Sequence, residues 1–590
     1  MLGANIDASA TSGWNTGEGF KSIGSSIEFT GKFDGLGHTV SNLTISDSNN
    51  PAGLFGTIDT GSVIRNVGVL MGTGTITGGG YGTGALVGEV QSGTISNSYS
   101  TGNITDDDFG SKVGGLVGYF SDGTISNSFS AATVKGINQI GGLVGYLNNG
   151  TISDSYATGN LNNPLGYAIG GLVGEASGGS IVRSYATGNV TGDGDVGGLV
   201  GDNSAAISNS YYAGGVVTGS SDGVGGLVGT MDYATITNSY ATGAVSGASS
   251  VGGLVGEANT DTIISNSYAA SSVSGSGTAI GGLVGGAYNT VTISNSFATG
   301  SVGGTGSEKG GLLGYGRSYA EFTPTNTITI SNSFATSAVS GGTDLGGLMG
   351  LAYNVDPPNS FVFTNSFWDT QTTSQATSAG GAGKTTAEMQ SQALYESMGW
   401  TVQVSTGVAS GSPVLSFPVG GGTPSLVINL QPTATTGSTS TSTTTTPVVI
   451  PPVAPTPPPP PVDGADTNLT SQLGAGGVSV SLESTGGAGG PGNQGANTQV
   501  DIVAVTVPKA MATTGTGFSF DLPAQVRATL GTGAVQVTLA DGRPLPDWIR
   551  FNPATQRFEA SAVPDGGLPL RVLIRAGAKE VMVVISERAE

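Results

Sequence analysis

A block of the form Gly-Gly-Leu-Val-Gly returns along most of this chain, and its spacing restricts the folds that the chain can adopt. The block recurs about every 28 residues, which is typical of a solenoid built from one supersecondary unit per repeat. A divergent forerunner ends at Gly56. The last glycine of each regular block is Gly88, Gly118, Gly145, Gly174, Gly201, Gly229, Gly256, Gly285, Gly314 or Gly350.

A second block, Thr-Ile-Ser-Asn-Ser followed by Tyr or Phe, comes after nearly every first block. Its Ile and its aromatic residue are four positions apart, as in Ile95 and Tyr99. Alternate residues of a strand share a face, so we expect the Ile, the middle Asn and the aromatic residue to point the same way. The density of Ser, Asn, Gly and Thr disfavours a helix. The second block therefore predicts a strand.

Stacking of these units follows from their size, because about 28 residues of short strands cannot bury their own apolar face. Equivalent residues would then lie above one another at ~4.8 Å. We expect Leu and Val ladders, aromatic stacks and an Asn ladder whose amides bond from coil to coil, with glycines of positive φ at the corners. The sequence predicts an all-β fold, a parallel β-helix solenoid.

The repeat defines the predicted domains. Residues 1–380 form the solenoid, and residues 381–430 form a cap in which Thr385-Thr-Ala-Glu388 has capping-box spacing and begins a short helix. Residues 431–497, rich in Thr, Pro and Gly, predict a disordered linker. Residues 498–590 contain alternating apolar stretches that predict a small β-sandwich-like domain.

These residues carry a resemblance to known families. The Gly-Gly-Leu-Val-Gly blocks resemble the GLUG motif, and the pattern from Phe33-Asp-Gly-Leu-Gly-His-Thr-Val to Phe367-Trp-Asp-Thr is similar to large bacterial exoproteins of the filamentous haemagglutinin type. Leu545–Glu559 resembles immunoglobulin-like and cadherin-like modules. The resemblance implies an exported adhesin of two-partner secretion, whose parent is recognised by an outer-membrane secretion partner.

The N-terminus has no basic stretch followed by an apolar one, so either the protein is cytosolic or this chain is a piece of a longer exported one. The resemblance favours the second, a fragment of a longer exoprotein at the cell surface or outside the cell. Asp and Glu number 39 against 18 Lys and Arg, a net charge of −21 that disfavours nucleic acid and anionic membranes as partners. The absence of Cys excludes disulfides and thiolate sites. The sequence contains no run of 18 or more apolar residues, so no membrane-spanning helix is predicted.

Few residues are candidates for catalysis or metal binding. His38 is the single histidine, and its turn-to-strand position favours a structural role over a catalytic one. The acidic clusters Asp106-Asp107-Asp108 and Asp193 with Asp195 lie in Gly-rich connections, where solvated acids are the rule; a catalytic pair and, at Asp106–Asp108, a calcium site are the alternatives. The tyrosines of the second block are expected in a core stack rather than as exposed sugar platforms.

Two further patterns are candidate sites. Ser378-Ala-Gly-Gly-Ala-Gly-Lys-Thr differs by one residue from a phosphate-binding loop, but no buried parallel strand is predicted before it. Arg65, Arg183 and Arg317 are the arginines before residue 500, too few to equip a lyase. We therefore expect no catalytic, cofactor-binding or metal-binding residues and no cofactor.

The sequence favours a non-enzymatic adhesin-like rod. Its expected partners are glycans or proteins on host or neighbouring cells, contacted through many weak repeated interactions. Two alternatives stay open: a polysaccharide-active β-helix enzyme, either lyase or hydrolase, and a scaffold for self-association in biofilms.

Overall fold

The computed structural model describes residues 1–78, 82–106, 112–318, 326–354, 360–389 and 391–397, together with strands and a few flanking residues between 401 and 587. The chain forms two compact units, Met1–Thr456 and Pro457–Glu590. The first unit contains a parallel β-solenoid of about 11 turns, as the repeat predicts. The predicted linker, residues 431–497, includes the boundary between the two units.

Each regular coil contributes to four parallel sheets, numbered here in chain order within a coil. One coil supplies Val113–Gly114 to sheet 1, Val117–Phe120 to sheet 2, Thr124–Ser126 to sheet 3 and Phe129–Lys135 to sheet 4. Equivalent repeat positions pair in register between coils. The solenoid therefore converts one repeated residue into one column of side chains.

The strand bounds follow this order. Sheet 1 contains Thr83–Gly84, Val113–Gly114, Asn138–Gly141, Tyr167–Gly170, Gly194–Gly197, Val224–Gly225, Val251–Gly252, Ile280–Gly281, Lys309–Gly310 and Leu345–Gly346. Sheet 2 contains Phe55–Ile58, Val87–Val90, Val117–Phe120, Val144–Leu147, Val173–Ala176, Val200–Asn203, Val228–Met231, Val255–Ala258, Val284–Tyr288, Leu313–Ser318 and Met349–Asn354. Sheet 3 contains Lys32–Asp34, Val63–Arg65, Thr94–Ser96, Thr124–Ser126, Thr151–Ser153, Ser180–Val182, Ala206–Ser208, Thr235–Thr237, Thr262–Ser265, Val291–Ser294, Thr327–Ser331 and Ser360–Thr364.

Sheet 4 is formed by one or two short strands per coil. It contains Ile6–Asp7, Thr39–Ser41, Gly68–Leu70, Tyr99–Thr105, Phe129–Lys135, Tyr156–Ala157, Leu161–Asn162, Tyr185–Ala186, Val190–Gly192, Tyr211–Tyr212, Val216–Gly219, Tyr240–Ala241, Ala244–Gly247, Tyr268–Ala269, Val273–Gly275, Phe297–Ala298, Val302–Gly303, Phe334–Ala335, Phe367–Asp369 and Ala382–Lys384. A separate parallel pair joins Ile45–Asp47 to Ile76–Gly78.

The interior is a continuous apolar core of aliphatic columns. The motif leucine, the valine after it and the Ile of the second block are fully buried in successive coils, as Leu143, Val144 and Ile152 illustrate. The predicted Leu and Val ladders are confirmed. Because each column continues through neighbouring coils, the coils supply one another with the burial that a single repeat lacks.

The motif glycines have a different role from the predicted one. None of the regular motif glycines described has a positive φ. They are required by close approach instead: a Cβ on Gly142 would overlap the carbonyl oxygen of Gly171 in the next coil, and one on Gly145 would lie 2.5 Å from the backbone nitrogen of Val113. Positive-φ glycines occur instead at the corner between sheets 2 and 3, as at Gly123 (φ of +109°) and Gly179 (φ of +85°), so the prediction is confirmed there. At the motif glycines it does not hold, because backbones meet there with no room for a side chain.

The middle residue of the second block supplies the positive φ. Asn127 has φ of +47° and Asn209 of +52°, and both stand between a strand of sheet 3 and a strand of sheet 4. The chain turns at this residue, so the Ile before it and the aromatic residue after it do not share a strand face as predicted. Asn tolerates this left-handed conformation better than most residues. Asn332 and Asn295, and Asn365 and Asn332, are joined by amide hydrogen bonds of 3.2 and 3.3 Å, so the predicted Asn ladder is confirmed for this part of the column.

The aromatic residues form a stack of their own, beside the aliphatic core. Neighbouring ring centroids are 4.8 to 5.2 Å apart with interplanar angles of 2° to 12°. The rings belong to Tyr99, Phe129, Tyr156, Tyr185, Tyr211, Tyr240, Tyr268, Phe297 and Phe334. From Tyr156 to Phe334 these side chains are buried. The predicted aromatic stack is confirmed, although the stack is separate from the Ile column.

A column of buried serines, which the sequence analysis did not predict, runs next to this stack. The amide of Ser155 donates to the hydroxyl of Ser184 at 3.2 Å, and the Ser184 hydroxyl donates to the carbonyl of Val182 at 2.9 Å. The same pair of bonds recurs coil after coil. Each hydroxyl therefore satisfies a backbone N–H of the preceding coil that the tight corner leaves without a ladder partner.

Short helices occur at both ends of the solenoid. Ser9–Gly13 and Asn15–Gly17 are 3-10 turns, and Thr386–Met389 and Gln392–Ser397 are α-helices. The predicted capping box is present: the Glu388 carboxylate accepts from the Thr385 amide at 2.7 Å, and the Thr385 hydroxyl accepts from the Glu388 amide at 3.2 Å.

These helices contact the aromatic stack, since the Tyr395 ring lies edge-on to Phe334 at 5.5 Å. The predicted cap helix therefore begins as expected and covers part of the end of the solenoid. A three-stranded sheet follows it, formed by Thr401–Val404, Val414–Ser416 and Ser425–Ile428.

The second unit contains two sheets around a core of its own. The larger sheet contains Gln472–Leu473, Ser479–Glu483, Val500–Val507, Lys579–Glu587, Leu570–Ala576 and Gln536–Leu539, and the smaller one contains Phe518–Asp521, Arg557–Ala560 and Ile549–Asn552. Phe558 and Val583, from different sheets, share the buried core, against which Trp548 packs. Within residues 431–497, Gln472–Leu473 pairs with Ser479–Glu483, which in turn pairs with Val500–Val507. The predicted linker stays a prediction.

Candidate interaction surface

One variable position of the repeat lies along the outside of sheet 2. In the nine strands from Val87–Val90 to Leu313–Ser318 it is the residue after the motif's last glycine, and these residues pair in register between coils. They are Glu89, Tyr119, Tyr146, Glu175, Asp202, Thr230, Glu257, Gly286 and Tyr315. We call these residues, with the left-handed row described next, the outer strip.

A row of residues with positive φ runs beside sheet 2, just before the inward residue of each sheet 1 strand. Its members are Gln139, Ala168, Asp195, Gly223, Ser250, Ala279, Glu308 and Asp344. Their side chains reach those of sheet 2: Gln139 Nε2 donates to Glu175 Oε2 at 2.7 Å, and Thr230 Oγ1 donates to Asp195 Oδ1 at 2.6 Å. The two rows therefore lie side by side and are joined by hydrogen bonds between their polar side chains.

Carboxylates dominate the middle of the outer strip. Asp202 is partly buried, and this burial, together with the nearby charges of Asp195, Glu175 and Asp232, raises its pKa to about 7. Burial likewise raises the pKa values of Asp195 and Glu257. Thr230 and Ser250 oppose this by donating hydrogen bonds to these two carboxylates. Around neutral pH this surface can therefore bind and release protons.

Two tyrosines flank the acidic section on its N-terminal side. The rings of Tyr119 and Tyr146 stack with centroids 5.4 Å apart. The ammonium of Lys112 lies 4.7 Å from the first centroid and 5.5 Å from the second, which is within the range of cation–π attraction. The Tyr146 hydroxyl donates to Ser177 Oγ at 2.9 Å. Aromatic rings with polar tips in such a position are typical of binding surfaces.

The acidic clusters predicted from the sequence are not brought together. Asp106 is buried and accepts a hydrogen bond of 2.6 Å from the Thr83 hydroxyl, so its expected place in a solvated loop was wrong. Asp107 and Asp108 lie outside the described residues. Asp193 accepts from Ser220 Oγ at 2.5 Å, whereas Asp195 belongs to the outer strip. Among the described residues, no group of three or more His, Asp or Glu side chains is arranged to hold a metal ion.

His38 lies in the predicted turn, directly before the strand Thr39–Ser41. Its Nδ1 is 3.1 Å from Asn5 Oδ1, and its amide donates to the carbonyl of Gly35 at 2.9 Å. These contacts hold the first coils together and fit the structural role that the sequence favours.

The loop-like stretch from Ser378 is part of the solenoid. The Ser378 hydroxyl accepts from the amide of Met349 at 2.9 Å, and Ala382–Lys384 is itself a strand of sheet 4. The Lys384 ammonium lies 5.4 Å from the ring of Phe367. The residues that resemble a phosphate-binding loop therefore belong to a strand and its approach.

Two of the three arginines before residue 500 form ion pairs between coils. Arg65 contacts Asp34 at 2.8 Å, and Arg183 contacts both carboxylate oxygens of Asp154 at 2.7 Å. Arg183 and Asp154 stand at the left-handed position that Asn has in most coils. Arg317 lies in sheet 2, in register with Tyr288 and Tyr353.

The outer strip was not predicted as a site, although the repeat contains the signal for it. Counting from each motif glycine places Glu175, Asp202 and Glu257 at one repeat position, and in-register stacking then makes them part of one row. The residue type at this position varies, whereas the glycine directly before it is constant from coil to coil. This variation next to a constant glycine indicated a surface position that the fold does not restrict.

Comparison with known proteins supports the repeat. The family described as the GLUG motif matches residues 136–162, 166–191 and 220–246. The chain is also 43% identical to halomucin of Haloquadratum walsbyi (strain DSM 16790 / HBSQ001) over 111 residues, which is 18% of this chain. The chain spans about 1% of the length of halomucin. No solved structure matches the chain.

The GLUG repeats, the solenoid and the similarity to halomucin together fit a surface-exposed repetitive protein. The more specific resemblance to filamentous haemagglutinin stays a prediction. Within the described residues, helices of the length and hydropathy needed to cross a bilayer are absent.

Proposed function

We propose that this chain is a non-enzymatic, adhesin-like rod, secreted or held at the outer cell surface, whose outer strip contacts glycans or proteins of host or neighbouring cells. The observation that supports this most is a contrast within sheet 2: the buried motif valine repeats from coil to coil, whereas the outward residue two positions later alternates between aromatic, acidic and small types. Equivalent positions one coil apart are separated by ~4.8 Å, so a long ligand meets several contacts at once. An outer-membrane secretion partner of a longer parent belongs to the same proposal.

The side chains of the outer strip restrict the classes of ligand that it can bind. Its carboxylates and the net charge of −21 disfavour anionic chains and favour neutral glycans or basic protein surfaces. Tyr119 and Tyr146 offer ring edges and a hydroxyl beside these carboxylates. A neutral sugar chain can use both, with hydroxyls bonded to carboxylates and apolar ring faces placed against the tyrosines.

The test is binding of the full chain to an array of neutral, acidic and basic glycans and of matrix proteins. We expect retention on a subset of neutral glycans or basic proteins, and at least a tenfold loss of affinity in Tyr146→Ser. Tyr233→Ser is the matched control, because Tyr233 is exposed but lies outside the outer strip. Equal loss in both variants, or no retention on any spot, would contradict the proposal.

A polysaccharide-active enzyme is the second candidate, and Asp202 is the observation that favours it. A carboxyl group with a pKa near 7 among other carboxylates is suited to proton donation to a leaving oxygen. The same glycan spots decide between the two, since cleavage shortens the bound chains. Shortening that disappears in Asp202→Asn would replace the adhesin proposal with this one, whereas unchanged length supports binding alone.

A further inference from the structure

A cavity of about 260 Å³ lies at the N-terminal end of the solenoid. One wall comes from the chain start and its 3-10 turns, including Leu2 and Trp14, and the other from the first coils, including Phe20, Leu43 and Leu54. In the regular coils, each apolar column is covered by the next coil. Here a short, irregular segment covers it and leaves space.

The polar groups that reach the cavity are already hydrogen-bonded within the protein. The Thr11 hydroxyl donates to the carbonyl of Ala8 at 2.6 Å and accepts from the amide of Thr44 at 3.0 Å. The Asp7 carboxylate accepts from the Ser9 amide and from Asn42, each at 3.0 Å. An occupant therefore finds no unsatisfied partner in these groups, and a polar occupant would lose its bonds to water without replacement.

The size and lining decide what the cavity can hold. An ordered water needs two to four polar partners, which this lining does not offer, while an apolar cavity of ~150 Å³ is sufficient for benzene. The present cavity is larger than that. A hydrocarbon ligand would gain the most binding free energy here, because each apolar group that enters leaves water and contacts aliphatic and aromatic side chains.

The cavity is accessible from solvent. Trp14 is 51% exposed and Ile6 is 44% exposed, although both side chains line it. The Trp14 and Phe20 rings are 6.4 Å apart and tilted by 44°. Large apolar side chains that are half in water and half against a cavity are typical of the entrance to a small-molecule site.

We propose that this cavity binds one small uncharged hydrocarbon molecule, such as a one-ring or two-ring aromatic or a short alkane. The site is separate from the outer strip and does not depend on the function proposed for it. Its specificity is for shape and lack of charge, since the polar side chains of the lining, Asp7 and Thr11, are already hydrogen-bonded within the protein.

Fluorobenzene is a suitable probe, observed by ¹⁹F NMR with the full chain. We expect its line to broaden on addition of the protein and toluene to reverse the broadening by competition, whereas benzoate, which is charged, does not. Ala10→Trp introduces an indole from an exposed residue that lines the cavity, and should weaken binding at least tenfold. Ala4→Trp is the matched control, because Ala4 is exposed in the same segment but does not line the cavity.

Circular dichroism checks that Ala10→Trp is folded, and Ile23→Trp, at another exposed wall position, takes its place if it is not. Loss of binding in the wall variant with retention in Ala4→Trp supports the site. No broadening up to the solubility of the probe, or equal broadening by all variants, would overturn it. So would a dimer in sedimentation experiments that Ala10→Trp dissociates while the probe binds nowhere, since a second copy would then be the occupant.

Discussion

Two columns of sheet 2, one inward and one outward, are only two residues apart along each strand, yet their residue types follow different rules. The inward column reads Val117, Val144, Val173 and Val200 in four successive coils, whereas the outward column beside it reads Tyr, Tyr, Glu and Asp. Inward residues must fit the coils above and below, so each coil restricts the next. Outward residues meet solvent and are free to vary. The repeat therefore describes what the fold requires, and departures from it describe where other roles can reside.

The largest effect should come from a motif glycine. Gly142→Val would place a branched side chain where the carbonyl of Gly171 and the side chain of Ala157 already lie. We expect a loss of about 4 kcal/mol or more in the free energy of unfolding, measured by guanidinium denaturation, because two backbones would have to separate. Gly3→Val, which meets nothing within 4 Å, should change it by less than about 0.5 kcal/mol. Similar values for both would show that close backbone approach is not what the motif requires.

The aromatic stack should give the next largest effect. Tyr185 lies between Tyr156 and Tyr211, with centroids 4.9 and 4.8 Å away. Tyr185→Ala removes both ring contacts and leaves a cavity, so we expect a loss of about 3 kcal/mol in thermal or chemical unfolding.

Tyr185→Phe keeps the ring and removes only the hydroxyl, so it measures the contribution of the hydroxyl to stability. The buried hydroxyl has no hydrogen-bond partner among the described residues, and burial raises the pKa of Tyr185 far above that of an exposed tyrosine. Its removal should be neutral or stabilising by up to about 1 kcal/mol. A clear loss of stability in Tyr185→Phe would instead reveal a partner for the hydroxyl.

The serine column should give a smaller loss. Ser184→Ala removes the acceptor of the buried Ser155 amide, so one backbone N–H is left unsatisfied at an expected cost of about 1 to 2 kcal/mol. Ser177→Ala, in the same coil but exposed, is the control and should cost less than about 0.5 kcal/mol. Hydrogen exchange at Ser155 provides a direct measurement, since only Ser184→Ala should accelerate it.

Much of this fold follows from counting along the sequence. The spacing of the glycine blocks gives the coils, their number and the in-register columns, because a repeat that stacks on itself has few other solutions. The backbone conformation at the corners was harder to predict from the sequence. Asn127 and Gly142 both mark a change of direction, but one adopts positive φ and the other permits close contact, and composition does not distinguish these reasons.

The interaction surface was harder to foresee than the core. Asp106 was conspicuous in the sequence because three acids are adjacent, yet it is buried against Thr83. Asp202 was inconspicuous because its neighbours in space, Glu175 and Asp195, are 27 and 7 residues away along the chain. Local acid density is a weak guide in a solenoid, where the relevant neighbours are one coil apart.

The smallest effect should come from the outer strip and should depend on pH. The pKa of Asp202 is about 7 in the folded chain against 3.8 for an unperturbed Asp, so between these values the folded state holds a proton that the unfolded state has lost. Stability therefore falls as pH rises through this window, and the loss is complete above about pH 7.

Asp202→Asn removes the group that titrates and should not show this loss. We expect the variant to match the wild type at about pH 3 and to exceed it by about 1 kcal/mol at pH 8, a value kept small because water reaches this partly exposed carboxylate. A variant advantage that is constant with pH would mean that the amide packs better rather than that repulsion between carboxylates is relieved. An advantage that grows with pH would show that the variable column carries a cost in stability, as expected where residues are retained for contacts outside the fold.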